Sequence, residues 1–272
     1  MSLTFRPDVW DDMMKHVSQV DIAPTIASVL GIAIHKVDGR PIREVEDWKC
    51  RNAVLIIVDS LGYDLYRWLE PDLKHIPALA RCGLLIRAEA VSTHTSPSIA
   101  SILSGLLPEH HRIFDKDSAK NSSMPSIPEA ASSQGLRSAV IMEKSGAEVY
   151  RDKIEITSGI PDSLSPEDFD MESCRKSLEA LSSRPRLMIS YFIGIDKTVH
   201  MGLGPNEIRN VAVSIDHCAG EIASAASNET LLVICGDHPV HAGRLKRTQG
   251  PYFVALILAG INHGPSQNLD LK

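Results

Sequence analysis

Along this chain, unbroken apolar runs alternate with stretches whose apolar positions recur every three or four residues. Asn52–Val58 (NAVLIIV), Leu187–Ile193 (LMISYFI) and Leu231–Cys235 (LLVIC) are runs of strand length. Runs without polar alternation predict strands covered on both faces, as in a parallel sheet wrapped by helices. Tyr252–Ile261 reads as a further buried strand and Arg137–Met142 as a short one. Helical patterns fall between them, the first lying within Leu65–Cys82 and ending at Gly83. Ser96–Leu107 follows with Pro97 in its first turn, then Ser126–Gln134, then Ser165–Leu181, opened by Pro166-Glu-Asp. Pro205–Ala226 places Ile208, Val211, Ala212, Ile215, Ala219 and Ile222 at helical spacing. Lys116–Met124 and Thr157–Pro166, rich in Ser, Asp, Gly and Pro, read as loops too short to link domains. There is no internal repeat. The pattern predicts an α/β fold, a mostly parallel central sheet with helices on both faces.

Composition narrows the picture. With 272 residues, 43% of them hydrophobic, the chain can bury a substantial core. A net charge of -6 and the lack of a basic block argue against nucleic acid as a partner. Arg244, Lys246 and Arg247 form the densest basic cluster and read as solvated loop. Five cysteines, odd in number, widely spaced and without a CxxC pair, read as reduced thiols of a cytoplasmic protein. Met1–Trp10 has no apolar signal core, and no run is long enough to span a bilayer, so no membrane partner is expected. Nothing in the sequence speaks to oligomeric state.

Chemistry enters where the apolar runs stop. The first closes on Asp59, the second reaches Asp196 and His200, and the third reaches Asp237, His238 and His241. In an open parallel sheet, ligands gather beyond the carboxyl ends of the strands. Three strands delivering carboxylates and imidazoles to one edge would build a two-metal site.

These residues resemble the alkaline phosphatase superfamily, metal-dependent phosphoryl- and sulfuryl-transfer enzymes. Val58-Asp59-Ser60-Leu61-Gly62-Tyr63-Asp64 is similar to its first metal-ligand strand end. Thr95-Ser96-Pro97-Ser98 through Leu103-Ser104-Gly105-Leu106-Leu107-Pro108-Glu109 and His111 resembles the nucleophile loop and helix of nucleotide pyrophosphatases and phosphodiesterases. Asp196-Lys-Thr-Val-His200 and Asp237-His238 match the remaining ligand motifs, with His241 as the last histidine and His263 in reserve. The resemblance implies one metal on Asp59, Thr95, Asp237 and His238, and another on Asp196, His200 and His241. Mixed carboxylate and imidazole ligands suit Zn or Mn better than Ca. It further implies a phosphohydrolase in which Thr95 attacks phosphorus and becomes a phosphothreonine, on a small-molecule phosphate ester, diester, pyrophosphate or monoester. Ser96, His94 and Arg112 are candidate substrate contacts, and Ser96 is the fallback nucleophile.

Other readings stay open. Thr95 or Ser96 could simply cap a helix. Arg112 could be solvated, and His110 and His111 match a structural corner. His217 reads as a solvated helix residue, and Cys235 as a buried strand residue. Relatives usually carry Gly where this chain has Ser60, Arg112 and Pro239, which bears on substrate class. Asp21-Ile-Ala-Pro-Thr through Gly31 and Asp38-Gly-Arg-Pro-Ile through Val45 resemble a segment found near the carboxyl end of such enzymes. Here it precedes the Asp59 strand, so the chain reads as circularly permuted. Residues 1–48 would be equivalent to the family's C-terminal segment, and Asp21 would serve structure. The whole, residues 1–272, reads as one catalytic domain without a cap, which favours hydrolysis over mutase chemistry. The alternatives are a phosphomutase of the same superfamily and a non-catalytic metal-binding protein that kept the fold.

Overall fold

The computed structural model describes residues 17–241 and 250–262. Met13, Met14, Arg244, Lys246, Arg247 and His263 lie outside the described residues. Seven strands form one sheet: β1 (Asn52–Val58), β2 (Leu84–Glu89), β3 (Ser138–Glu143), β4 (Ile156–Ile160), β5 (Leu187–Phe192), β6 (Thr230–Gly236) and β7 (Phe253–Ile261). Their order is β2-β7-β6-β1-β5-β3-β4. All pairs are parallel except those of β7, which runs against both β2 and β6. β1 therefore lies between β5 and β6, and the three runs that end in Asp and His are adjacent.

The apolar runs are buried on both faces, as their lack of alternation requires. Along β1, Val54, Ile56 and Val58 join one core and Ala53, Leu55 and Ile57 the other, the two-residue period of a strand. Leu55, Ile56 and Ile57 are fully buried, each stabilising the fold by about 1.5–3 kcal/mol.

The first core is closed by α2 (Tyr63–Leu69), α3 (His75–Cys82), α9 (Pro166–Ser182), α10 (Gly194–His200) and α11 (Pro205–Ala225). The six apolar positions read as the inner stripe of α11 are all buried. The second core is closed by α1 (Ile22–Leu30), α4 (Thr95–Ser104), α7 (Ile127–Ser133) and α8 (Lys144–Glu148). The short helices α5 (Pro108–His111) and α6 (Lys116–Lys120) complete the set. Among the described residues no helix is long and apolar enough to cross a membrane.

The helix expected within Leu65–Cys82 and ending at Gly83 is α3, and α2 precedes it across a 3-10 turn at Glu70–Asp72 in which Pro71 cannot donate to a continuing helix. Two expectations need correction. Thr157–Pro166 is not all loop, because Ile156–Ile160 pairs with β3 as the outermost strand, half-buried and with bulky apolar side chains only at its two ends. Lys116–Met124 contains helix α6, capped by Asp115, whose carboxylate accepts from the Ser118 amide at 2.7 Å. Strand β2 had no counterpart in the sequence reading. Its Arg87 and Glu89 are exposed on an edge strand, which hides the apolar signal.

Candidate metal centre and active site

Four strand ends supply this site. At the end of β1 the Asp59 amide donates to Phe192 O at 2.8 Å, and the Ser60 amide donates to Asp237 Oδ1 at 2.9 Å. β6 runs straight into Asp237 and His238. β5 leads into α10, which carries Asp196 in its first turn and His200 one turn later. β2 leads through residues 90–94 to Thr95, the first residue of α4.

His238 sits at the centre, fully buried. Its Nε2 lies 3.3 Å from Asp59 Oδ1, 3.5 Å from Asp237 Oδ2 and 3.2 Å from Thr95 Oγ1. Its Nδ1 is 3.1 Å from Pro239 O, an acceptor that keeps the proton on Nδ1. The lone pair of Nε2 then faces the carboxylates and Thr95. His200 Nε2 lies 3.4 Å from Asp196 Oδ2, and the His241 ring stands 4.8 Å from His238 and 5.1 Å from His200. Ligating atoms of Asp59, Asp237 and His238 fall within 4.8 Å of one another, as do those of Asp196, His238 and His241. All seven expected ligands are thus brought together. One detail differs from expectation, since His238 is within reach of both groups.

A divalent cation fits this arrangement. Asp59 Oδ1, Asp237 Oδ2 and His241 Nδ1 are buried without a hydrogen-bond partner, a costly state for polar atoms. Burial, then the charges of Asp237 and Asp196, hold the Asp59 carboxyl well above the usual carboxylate range. Burial likewise pushes Asp237 up to about 8. Burial, then the neighbouring His238, lowers His241, which favours the neutral imidazole that ligation needs.

Several supporting residues escaped the sequence reading. The Tyr191 hydroxyl donates to Asp59 Oδ2 and fixes that carboxylate. Gln19 Nε2 donates to the carbonyls of Gly236 and Asp237 at 2.9 and 2.5 Å, while its Oε1 accepts from the Val91 amide at 3.0 Å. One buried amide side chain thereby ties the end of β6 to the loop before Thr95. Asp170 Oδ1 accepts from the amides of Ile193 and Gly194 at 3.0 and 3.2 Å and holds the turn into α10. Tyr191, a polar residue within a buried run, carried the only sequence signal among them.

The remaining candidates are placed as follows. Ser96 lines the cavity beside Thr95. His94 is the exposed residue before α4, 6.2 Å ring to ring from His241. Arg112 is the exposed residue that ends α5 with a φ of 57°, and among the described residues no hydrogen bond or ion pair joins it to the site. His111 Nε2 is 3.0 Å from Ser101 Oγ, and its Nδ1 accepts from the Ile113 amide at 2.9 Å, which makes a buried corner. Asp21 accepts from the amides of Ser18 and Arg40 at 2.8 and 2.7 Å, a structural role.

The family model for type I phosphodiesterase / nucleotide pyrophosphatase matches residues 53–248, a span that contains all seven ligand candidates. No curated protein matches the sequence. Among solved structures, the chain is similar to phosphonoacetate hydrolase from Sinorhizobium meliloti in complex with phosphonoacetate, with a TM-score of 0.60 and 15% identity, over 76% of this chain and 60% of that one. An alkaline phosphatase superfamily protein from Vibrio parahaemolyticus gives 0.55 and 14%, over 89% and 68%. The lipoteichoic acid synthase LtaP from Listeria monocytogenes gives 0.54 and 11%, over 89% and 72%. The chain spans about 60% of the length of that phosphonoacetate hydrolase, and at these identities the likeness is one of fold. With the family match covering most of its length, the chain belongs to the type I phosphodiesterase / nucleotide pyrophosphatase family and has the fold of the alkaline phosphatase superfamily.

Proposed function

We propose that the chain is a metal-dependent phosphohydrolase that cleaves phosphate esters through a phosphothreonine at Thr95. The observation that carries this reading is the meeting of Thr95 Oγ1, 3.2 Å from His238 Nε2, with a buried group (Asp59, Asp237, His238) and a half-buried group (Asp196, His238, His241) of candidate ligands from separate strands. Asp59, Asp237 and His238, with Thr95, would hold one divalent cation, and Asp196, His200 and His241 the other, with Zn or Mn as the ions the donors suit. Bound there, the cations neutralise phosphate charge, acidify hydroxyl groups and stabilise the leaving oxygen.

Thr95 opens the ten-residue helix α4, where unpaired amides and the helix dipole favour an anion. Its Oγ1 forms the new bond to phosphorus as the ester oxygen departs. Water then cleaves the phosphothreonine and restores the hydroxyl. No separate general base is required. The family favours a diester or pyrophosphate bond, with a monoester the alternative. Residues 115–186 are taken up by β3, β4 and helices α6 to α9, which supports hydrolysis over mutase chemistry that needs a cap.

The same reading takes residues 1–272 as one permuted catalytic domain. It is supported by the way segment 17–48 packs on the core: Gln19 grips β6, and Asp38 accepts from the Leu107 amide at 2.8 Å beyond α4. The free cysteines support a cytoplasmic setting.

Thr95→Ala is the decisive variant. It is expected to lower hydrolysis of bis(4-nitrophenyl) phosphate and 4-nitrophenyl phosphate by at least about a thousandfold, as loss of a nucleophile does. Metal content, measured by elemental analysis, should stay near that of the parent. Turnover that survives the substitution would remove Thr95 as nucleophile.

A further inference from the structure

Beside Thr95 and Asp196 opens a cavity of about 330 Å³, at the small end of the range for small-molecule sites. Ile99, Leu103, Ile113, Met124, Val149 and Tyr150 form apolar walls. Three lysines also border it, but each is already engaged. Lys153 Nζ is 3.0 Å from Glu129 Oε1, Lys116 Nζ is 3.7 Å from Asp162 Oδ2, and Lys197 Nζ donates to the carbonyls of Asp162 and Leu164. Glu143, at the end of β3, is different. Its Oε2 is buried with no hydrogen-bond partner, and its Oε1 has only the Ser145 hydroxyl at 3.4 Å. Burial pushes its carboxyl above the usual range. Glu143 lines the cavity, and the cost of its buried, unpaired carboxyl oxygen calls for a donor that arrives with the ligand.

From the apolar walls, the engaged lysines and the unpartnered Glu143 oxygen, we infer that this cavity receives one organic group of the phosphate ester, an apolar or aromatic moiety bearing an amine or hydroxyl that docks on Glu143, and that it disfavours a second anionic group. This rests on the phosphohydrolase reading and names its substrate class. An anion entering here would meet the Glu143 carboxyl, and among the described residues the three bordering lysines are already held by Glu129, Asp162 and backbone carbonyls. An ammonium would gain a charge-assisted hydrogen bond in a half-enclosed site. Among the bonds the family description covers, the inference therefore selects organic phosphodiesters over pyrophosphates.

Three matched esters test it: 4-nitrophenyl phosphodiesters whose second group is benzyl, 4-(aminomethyl)benzyl or 4-carboxybenzyl, assayed with the manganese-loaded enzyme. The expected order of kcat/KM is amine above benzyl above carboxylate, with about tenfold between the first two carried by KM. Glu143→Gln, of nearly the same shape, should bring the amine-to-benzyl ratio close to one. Calorimetric binding of benzylphosphonate and its 4-aminomethyl derivative should repeat the preference without turnover. If all three esters react at equal rates and both phosphonates bind alike, the cavity assignment is wrong while the hydrolase reading stands. If no ester is cleaved yet the aminomethyl phosphonate binds tenfold tighter only with Glu143 present, the cavity stands and the hydrolase reading falls. A preference that persists in Glu143→Gln also overturns the assignment of Glu143.

Discussion

Ser60 holds a left-handed backbone, φ 64°, where a side chain costs about 1–2 kcal/mol relative to glycine. What the residue provides in return is its hydroxyl, which donates to Asp196 Oδ1 at 2.7 Å and joins the end of β1 to the first turn of α10. Two variants separate strain from hydroxyl. Ser60→Gly and Ser60→Ala both lose the bond to Asp196 and should weaken metal binding to the same degree in calorimetric titration. Only Ser60→Ala keeps the strain, so it should unfold in urea with about 1 kcal/mol less stability than Ser60→Gly. Equal stabilities would mean that the backbone there is not strained. A second residue makes a pH argument. Burial pushes Asp170 from 3.8 up to about 8, so between those values the folded chain binds a proton that the unfolded chain has lost. Its contribution is full below pH 3.8 and falls as pH rises towards 8. Asp170→Asn, which keeps an oxygen for the Ile193 and Gly194 amides, should flatten the stability profile of the metal-free protein across that window. An unchanged difference between the two proteins at low and neutral pH would contradict this.

At the scale of elements, a single glycine sets how closely β6 can deliver its candidate ligands. A Cβ on Gly236 would stand 2.1 Å from Leu61 O, a backbone atom that cannot swing aside. Gly236→Ala should therefore destabilise the chain by about 1–3 kcal/mol and also weaken metal binding, since Asp237 and His238 follow directly. Full metal affinity in that variant would show that the strand end can shift without moving its ligands. Among the strands, those the sequence announced most clearly are buried along nearly their whole length: β1, β5, β6 and β7 are covered on both faces and mostly apolar, and α11 carries its inner stripe without a gap. β4 is half-buried and β2 exposes Arg87 and Glu89, so neither has a run to read. Pro71 divides α2 from α3 within a span that is otherwise helical in pattern. Of the site, the candidate ligands stood out because Asp and His follow apolar runs abruptly. Gln19 and Asp170 did not, because each acts through backbone groups that only the folded chain supplies, and Ser60 stood out as a departure from glycine but not as a partner of Asp196.

For the whole molecule, the order β6-β1-β5 matters most, because it makes neighbours of strands that lie some 130 and 180 residues apart in sequence and concentrates negative charge at one sheet edge. Asp59, Asp237 and Asp196 repel one another there, and two of them are buried. Folding the metal-free chain must therefore work against desolvation and like-charge repulsion that a bound cation would relieve. A ligand that binds only the folded state stabilises it by RT ln(1 + [L]/Kd), about 2.7 kcal/mol at a hundred times Kd. The thermal midpoint should accordingly rise by several degrees when manganese or zinc is added to chelator-treated protein, and it should climb further with metal concentration. Asp237→Asn should raise the midpoint of the metal-free protein at neutral pH, because folding no longer has to bury or protonate that carboxylate, while reducing the response to metal. A midpoint indifferent to metal in the parent chain, or an equal response in Asp237→Asn, would show that this cluster is not where a cation is held.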